Sequence, residues 1–208
     1  MDSSVSYPSV RRARPERASE ILDRLARETQ TESVDVGMLL EALKDRSFGI
    51  IIILFALPNA ILPVAWVLGT PILLFSIQMT MGRQEPWLPE IMRRPQLSRE
   101  TFARVMAYVA RYLGIIESWL QPRWMWLTSS VMERVIGAYL IFLTLVLLVP
   151  VPFGNALPSF GIAIIAAGLL EKDGVAIIVG SIIGLAGTVY VFALIGGAVA
   201  AFKAIFGF

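Results

Sequence analysis

Two apolar stretches of this chain open with the same charged motif and are broken at a similar point, and this limits the folds that the chain can adopt. Asp-Arg-Ser-Phe-Gly (45–49) opens the first stretch, and Glu-Arg-Val-Ile-Gly (133–137) opens the second, 88 positions later. Pro-Asn-Ala-Ile-Leu-Pro (58–63) interrupts the first, and Pro-Val-Pro-Phe-Gly-Asn-Ala-Leu-Pro (150–158) interrupts the second. The pattern predicts a duplicated membrane module.

Each copy of the repeat also ends in a charged group, at 82–86 in the first and at 171–174 in the second. Internal repeats of this kind occur in many transporter folds, whose substrate sites lie near the repeat interface on helices interrupted by Pro or Gly. Duplicated segments with Pro turns are equally compatible with a scaffold that transports nothing. The pattern leaves both alternatives open.

Composition restricts both the location of the chain and its chemistry. Of 208 residues, 56% are hydrophobic and 16% are charged, and the mean hydropathy is +0.70. A water-soluble core of this size cannot bury so much apolar surface, so we predict an integral membrane protein. The chain contains neither cysteine nor histidine, which removes thiol nucleophiles, imidazole bases and the usual zinc ligands. We therefore expect no enzyme, no cofactor and no metal.

Four segments make up the predicted all-α organisation. Residues 1–17 are rich in arginine and predict a disordered basic tail near anionic lipid, with the N-terminus on the cytoplasmic side. Residues 18–99 form repeat 1, residues 100–174 form repeat 2, and residues 175–208 form a C-terminal transmembrane segment of one or two helices. Glycines in that last segment permit close helix packing within the molecule or in a homodimer.

Each repeat is predicted to combine an amphipathic helix with a Pro-broken helical hairpin. Apolar residues recur at helical spacing within 18–45 and 100–120, so these helices should lie on the membrane. The hairpins occupy 48–81 and 135–170. The apolar run at 48–57 is shorter than the roughly 20 residues that a spanning helix needs. The hairpin is therefore either re-entrant or made of one short and one full span.

The connector between the repeats, residues 83–99, contains a tryptophan and several arginines, which predicts a cytoplasmic, interfacial location. If both repeats begin and end on that side, an axis along the membrane normal relates them. An odd number of spans would instead make the repeats inverted. The flanking arginines favour the first arrangement.

Two asparagines at the breaks, Asn59 and Asn155, are the leading candidates for substrate binding, and Gln78 is a third. Unwound backbone and helix ends at a break offer free N–H and C=O groups to a ligand. The alternative is that each asparagine only caps a helix. No acidic residue lies deep in the apolar runs, and a proton relay normally needs one, so we do not expect proton coupling.

Charged residues flank the apolar runs. Arg46, Arg134 and Arg83 could hold anionic lipid headgroups, because a guanidinium matches phosphate geometry; the alternative is that they only anchor the helix ends. Glu171, Lys172 and Asp173 predict an interfacial ion network. No phosphate-binding loop or nucleophile–base pair is visible, and nothing in the pattern favours nucleic acid.

Several motifs, taken together, resemble the ExoD exopolysaccharide-synthesis family. They are Gly-Met-Leu-Leu-Glu-Ala-Leu-Lys-Asp-Arg-Ser-Phe-Gly (37–49), Leu-Gly-Thr-Pro-Ile-Leu-Leu (68–74), Pro-Val-Pro-Phe-Gly-Asn-Ala-Leu-Pro (150–158) and Gly-Leu-Leu-Glu-Lys-Asp-Gly (168–174). The similarity extends from about Ala18 to Phe206. It implies a multi-pass protein of the bacterial inner membrane that is associated with envelope polysaccharide. It brings no agreed reaction, ligand or catalytic residue.

We therefore expect an inner-membrane protein that supports exopolysaccharide synthesis or export, with a transporter-like core for a lipid-linked or anionic small substrate. The alternative is a non-transporting scaffold or regulator that binds polysaccharide-synthesis enzymes through its amphipathic helices. Expected partners are anionic lipid headgroups, those enzymes and a second copy of the chain.

Overall fold

A computed structural model of the chain describes residues 33–34, 47–61, 65–83, 85–87, 97–98, 118–151 and 154–207. Within them the protein is helical, as predicted, apart from one pair of two-residue strands. It has five α-helices: α1 (Ser47–Ile61), α2 (Ala65–Thr80), α3 (Ser130–Leu147), α4 (Ala156–Glu171) and α5 (Gly174–Phe206). A short 3-10 helix (Met125–Thr128) precedes α3, and β1 (Ser33–Val34) pairs antiparallel with β2 (Leu97–Ser98). The predicted basic tail and nearly all of the two predicted amphipathic helices lie outside the described residues.

Helix length and composition favour a membrane location. Among the described residues, α3 with 18 residues and α5 with 33 are long and apolar enough to cross a membrane. Helices α1, α2 and α4 are also apolar but have only 15 or 16 residues, or about 22–24 Å at 1.5 Å per residue. The outward faces carry large apolar side chains such as Val67, 71% exposed, and Val189, 63% exposed. Lipid is the solvent that suits such faces.

Each helix of the first predicted hairpin packs mainly on a helix of the second. Helix α1 packs on α4, and α2 packs on α3. A Cβ atom added to Gly49 would lie 3.1 Å from Leu170 Cβ, and one added to Gly137 would lie 2.8 Å from Thr80 N. The start of α1 thus lies against the end of α4, and the start of α3 against the end of α2. Both pairs are antiparallel.

Helices α2 and α4 end in the same way. Gly82 and Lys172, 90 positions apart, both have left-handed backbone conformations with φ values of +77° and +54°. In each case the N–H of this residue donates to the carbonyl three residues earlier, at 2.9 and 3.4 Å. The following N–H donates to the carbonyl five residues earlier, at 3.2 and 2.8 Å. This is the Schellman arrangement, which satisfies the last carbonyls of a helix.

The first break lies later in the chain than the sequence indicates. Helix α1 continues through Pro58 to Ile61 instead of being interrupted at Pro58, and α2 begins at Ala65. Proline has a helical φ, but inside a helix it removes the hydrogen bond to the carbonyl four residues earlier and its ring crowds that carbonyl. Because Pro58 lies in the last turn of α1 and its neighbours are packed, with Ala56 fully buried, the helix tolerates that loss.

The C-terminal segment is one continuous helix, α5, and not the two helices that the sequence left as an alternative. Its first half packs closely on α4: a Cβ on Gly161 would lie 2.6 Å from Gly184 Cα. Neither Gly196 nor Gly197, in its second half, has a described neighbour within 4 Å of an added Cβ. Helix α5 therefore extends past the bundle formed by α1–α4.

Candidate functional site

Two buried polar side chains in the helical bundle make no hydrogen bond with any residue that the structure describes. Asn59 on α1 is 1% exposed, and neither Oδ1 nor Nδ2 has a partner. Ser159 on α4 is 0% exposed, and its Oγ has no partner. Leaving a buried polar group unsatisfied costs about 1–3 kcal/mol. We call Asn59 and Ser159 the polar pair.

The antiparallel packing of α1 and α4 brings the polar pair to one level of the bundle. A Cβ on Gly49 would contact both Ala166 and Leu170, so Gly49 lies opposite the segment between them. Ten residues further along α1, about 15 Å, Asn59 comes level with the first turn of α4. Ser159 lies in that turn.

The polar pair lies at the same depth on both helices. Asn59 follows the first residue of α1 by 12 positions, and Ser159 precedes the last residue of α4 by 12 positions. Both are therefore about 18 Å along their helices from the end where α1 begins and α4 ends. We call that end the interfacial end. If it lies at the headgroups of a bilayer with a hydrocarbon core about 30 Å thick, the polar pair lies close to the midplane.

Asn155 precedes Ser159 by four positions in the chain but is placed differently from Asn59. It is half-buried at the N-cap position of α4, where its carbonyl accepts from Ser159 N at 3.1 Å and its side chain makes no capping hydrogen bond. Asn59 lies before its turn and Asn155 after its own, so the two are not at equivalent positions of the hairpins. The packing of α1 on α4 nevertheless brings both to the same end of the bundle.

At the interfacial end, Asp173 is fully buried and fully hydrogen-bonded. Its carboxylate accepts from the N–H groups of Gln121 (3.0 Å), Val175 (3.0 Å) and Ala176 (3.3 Å), and from Nη2 of Arg123 (2.9 Å). Burial raises the pKa of this carboxyl, but the hydrogen bonds and the charge of Arg123 lower it more, so the pKa lies below its ordinary value. Asp173 thereby caps α5 and fixes the segment before α3.

Of the predicted ion network of Glu171, Lys172 and Asp173, the described residues show the ion pair of Asp173. Asp173 pairs with Arg123, 50 positions away, which sequence reasoning missed. Lys172 is exposed and serves as the left-handed end of α4, and Glu171 is half-buried. An Asp-Gly pair at the start of an apolar helix is an N-cap signal that identifies Asp173, but no local signal identifies Arg123.

The Gln78 side chain hydrogen-bonds to the backbone of Trp87. Its Oε1 accepts from Trp87 N at 2.6 Å, and its Nε2 donates to Trp87 O at 3.0 Å. The side chain is buried on α2, so this pair of bonds holds the connector after α2 against the helix. Gln78 therefore stabilises the interfacial end and does not face the polar pair.

Two of the three predicted arginines, Arg134 and Arg83, belong to the interfacial end as well. The Arg134 guanidinium lies over Gly82: a Cβ added there would be 2.5 Å from Arg134 Nε. A cation beside the C-terminal carbonyls of α2 is favourable. Arg83 is exposed directly after Gly82, and Arg46 lies outside the described residues. Arg134 and Arg83 are thus near each other and about 18 Å from the level of the polar pair.

The polar pair has the chemistry of a binding site. It offers an amide and a hydroxyl and contains neither a strong nucleophile nor a base. In the part of the chain that the structure describes, no three acidic side chains come together as a metal site. The arrangement can hold a ligand by hydrogen bonds.

Comparison with known proteins gives a family and distant relatives. Residues 18–193 match the family described as "Exopolysaccharide synthesis, ExoD", which is not a known enzyme family. An uncharacterised protein of Synechocystis is 27% identical over 162 residues, which is 76% of each chain. Protein ExoD of Rhizobium meliloti is 29% identical over 146 residues, covering 68% of this chain and 60% of that protein. No solved structure matches the chain.

Proposed function

Because the chain belongs to the ExoD family, a family of exopolysaccharide synthesis, we propose that it handles a substrate of that process in the bacterial inner membrane. The proposed core consists of two Pro-broken hairpins, α1–α2 and α3–α4, related by an approximate two-fold axis along the membrane normal. The proposed role is transport of a small or lipid-linked substrate, without enzymatic chemistry.

Reciprocal packing supports the proposed two-fold relation. A rotation that exchanges the hairpins turns the α1–α4 pair into the α3–α2 pair, and both pairs are antiparallel. Gly49 and Gly137, 88 positions apart, make corresponding close contacts. The Schellman ends of α2 and α4 are 90 positions apart. A duplicated module explains these nearly constant offsets.

The unpartnered polar pair is the observation that carries the transport proposal. Two polar groups that destabilise the bundle in one conformation, near the bilayer midplane, are explained if a ligand satisfies them in another conformation. Transporter sites lie at this depth, at the interface between repeats. The described conformation closes the polar pair off from solvent, and in the proposed transport cycle it would be the occluded state. Opening requires the ends of α1 and α4 at the breaks to separate.

Substitutions at the polar pair separate a binding role from a structural role. Asn59→Leu replaces the amide with an apolar group of similar shape, and Ser159→Ala removes the hydroxyl. At matched protein amounts we expect exopolysaccharide output to fall at least about tenfold, the effect of losing roughly 1.4 kcal/mol of binding. We expect the unfolding temperature in detergent to stay the same or rise, because no described hydrogen bond is lost.

Ser76→Ala is the matched control. Ser76 is also fully buried, but its Oγ donates to Ile72 O of its own helix at 2.7 Å. This variant should leave output unchanged. Normal output from both polar-pair variants would refute the site and favour the scaffold alternative. A fall in output that matches a fall in unfolding temperature would make the polar pair structural.

A further inference from the structure

The polar pair also restricts the kind of group that can bind there. Resting on the proposed function, we propose that it binds an uncharged, hydroxyl-rich group with the chemistry of a sugar ring, in preference to an anion or a cation. This narrows the substrate class expected from sequence, which included anionic small molecules.

The apolar runs inside the two hairpins contain no charge that could compensate an ionic ligand. No Asp, Glu, Lys or Arg occurs between Ser47 and Thr80 or between Val135 and Leu170. Burying an ion without a counter-charge costs several kcal/mol, even after relaxation and water penetration. An amide and a hydroxyl cannot offset that cost. A charged group is therefore disfavoured at the level of Asn59 and Ser159.

The hydrogen-bonding groups at this level are balanced between donors and acceptors. The Asn59 amide offers a carbonyl acceptor and an NH₂ donor, and the Ser159 hydroxyl can act as either. A sugar hydroxyl also donates and accepts, so each contact can form in both directions. Thiol, imidazole and carboxylate groups, which would favour metals or cations, are missing from the apolar runs 47–80 and 135–170.

The two helix ends at this level carry partial charges of opposite sign. Helix α4 begins at this level, and α1 ends at it. The N-terminus carries a partial positive charge and the C-terminus a partial negative charge. An anion would gain from α4 and lose to α1. A neutral group that both donates and accepts can use both.

Matched probes that differ only in charge test this inference. The full chain in phosphatidylcholine nanodiscs is titrated with methyl α-glucoside and with methyl α-glucuronide, which share a ring and differ by a carboxylate. In a second arm, the nanodiscs contain glucosyl-diacylglycerol or glucuronosyl-diacylglycerol. The measurement is the shift in unfolding temperature, which reports binding to the folded state.

We expect the neutral probe to raise the unfolding temperature with an apparent Kd at least about tenfold below that of its charged counterpart. A response to the free glycoside identifies a soluble sugar, and a response only to the glycolipid identifies a lipid-linked one; either result supports the proposal. Asn59→Leu and Ser159→Ala should each remove the shift, whereas Ser76→Ala should keep it.

Equal or tighter binding of the glucuronide in either arm overturns the inference, and so does the lack of a shift from both neutral probes. If that occurs while Asn59→Leu still abolishes exopolysaccharide output, the proposed function stands and only the substrate class is wrong. If Asn59→Leu gives normal output, the proposed function itself fails, whichever probe binds.

Discussion

The buried polar groups at the two ends of α4 differ in their hydrogen bonding. Just after its C-terminal end, Asp173 is 0% exposed and accepts hydrogen bonds from four donors. In its first turn, Ser159 is also 0% exposed and has no partner among the described residues. The same helix thus has one end where polar groups add stability and one where they reduce it. The contrast fits the proposal that the interfacial end stabilises the bundle and that the polar pair binds a ligand.

Asp173→Asn should be the most destabilising change at the interfacial end. It removes a charge that four donors stabilise and leaves Arg123 without its ion pair. We expect a loss of about 2–3 kcal/mol at neutral pH, since hydrogen bonds to charged groups are the strong ones. Thermal unfolding in detergent measures it. Lys172→Ala, at the exposed neighbouring residue, serves as a control and should change stability by at most about 0.5 kcal/mol.

The pH dependence of the same variant sharpens the comparison. The folded-state pKa of Asp173 lies below its ordinary value of 3.8. The stability that this carboxylate adds is therefore complete above that ordinary value and is lost as pH falls through the folded pKa. The difference between wild type and Asp173→Asn should be constant from pH 5 to 7 and shrink below about pH 4. A difference that grows towards acid would contradict the role given to Asp173.

Gln78→Met should come next, at about 1–2 kcal/mol. It keeps the length and burial of the side chain but removes both hydrogen bonds to the Trp87 backbone. Ile77→Met, on the exposed neighbouring residue, is the control and should stay within about 0.5 kcal/mol. If Gln78→Met instead left stability intact and reduced exopolysaccharide output, Gln78 would belong to the binding site, as its sequence position suggests.

Lys172→Gly should change the unfolding free energy least among these variants, and it should raise it instead of lowering it. The residue has a φ of +54°, which costs little for glycine and about 1 kcal/mol for most others. We expect a gain of about 1 kcal/mol in unfolding free energy. Lys172→Ala removes the same charge but keeps the strained conformation, so it should show no gain. Equal behaviour of the two variants would show that charge, not backbone, matters there.

Sequence patterns reveal local features of this fold well. Apolar runs and charged flanks predict an all-α chain, and motif resemblance predicts the family; both predictions are confirmed. The predicted interruption at Pro58 is wrong, because α1 stays helical through Pro58 to Ile61. The packing of α1 on α4 and of α2 on α3 cannot be deduced from periodicity. It depends on which helix faces can approach closely at Gly49 and Gly137.

In the candidate site, too, local features can be predicted from the sequence, whereas tertiary contacts cannot. Asn59 stands out in the sequence as an amide inside an apolar run. Ser159 does not, because a serine after a proline is usually a turn or cap residue and its unpartnered hydroxyl is a tertiary property. Gln78 looks like a site residue but is used by Trp87. Asn155 matches Asn59 in motif, but helix boundaries place it on the other arm of its hairpin.

Thiol labelling of single-cysteine variants tests the central claim most directly, because the natural chain has no cysteine. Asn59→Cys and Ser159→Cys, with Ser76→Cys as the buried control, are exposed in membrane vesicles to a water-soluble, membrane-impermeant thiol reagent. If the polar pair is a transport site that opens, positions 59 and 159 will react over time and position 76 will not. If all three stay unreactive from both sides of the membrane, the polar pair is a packed defect and the transport account is wrong.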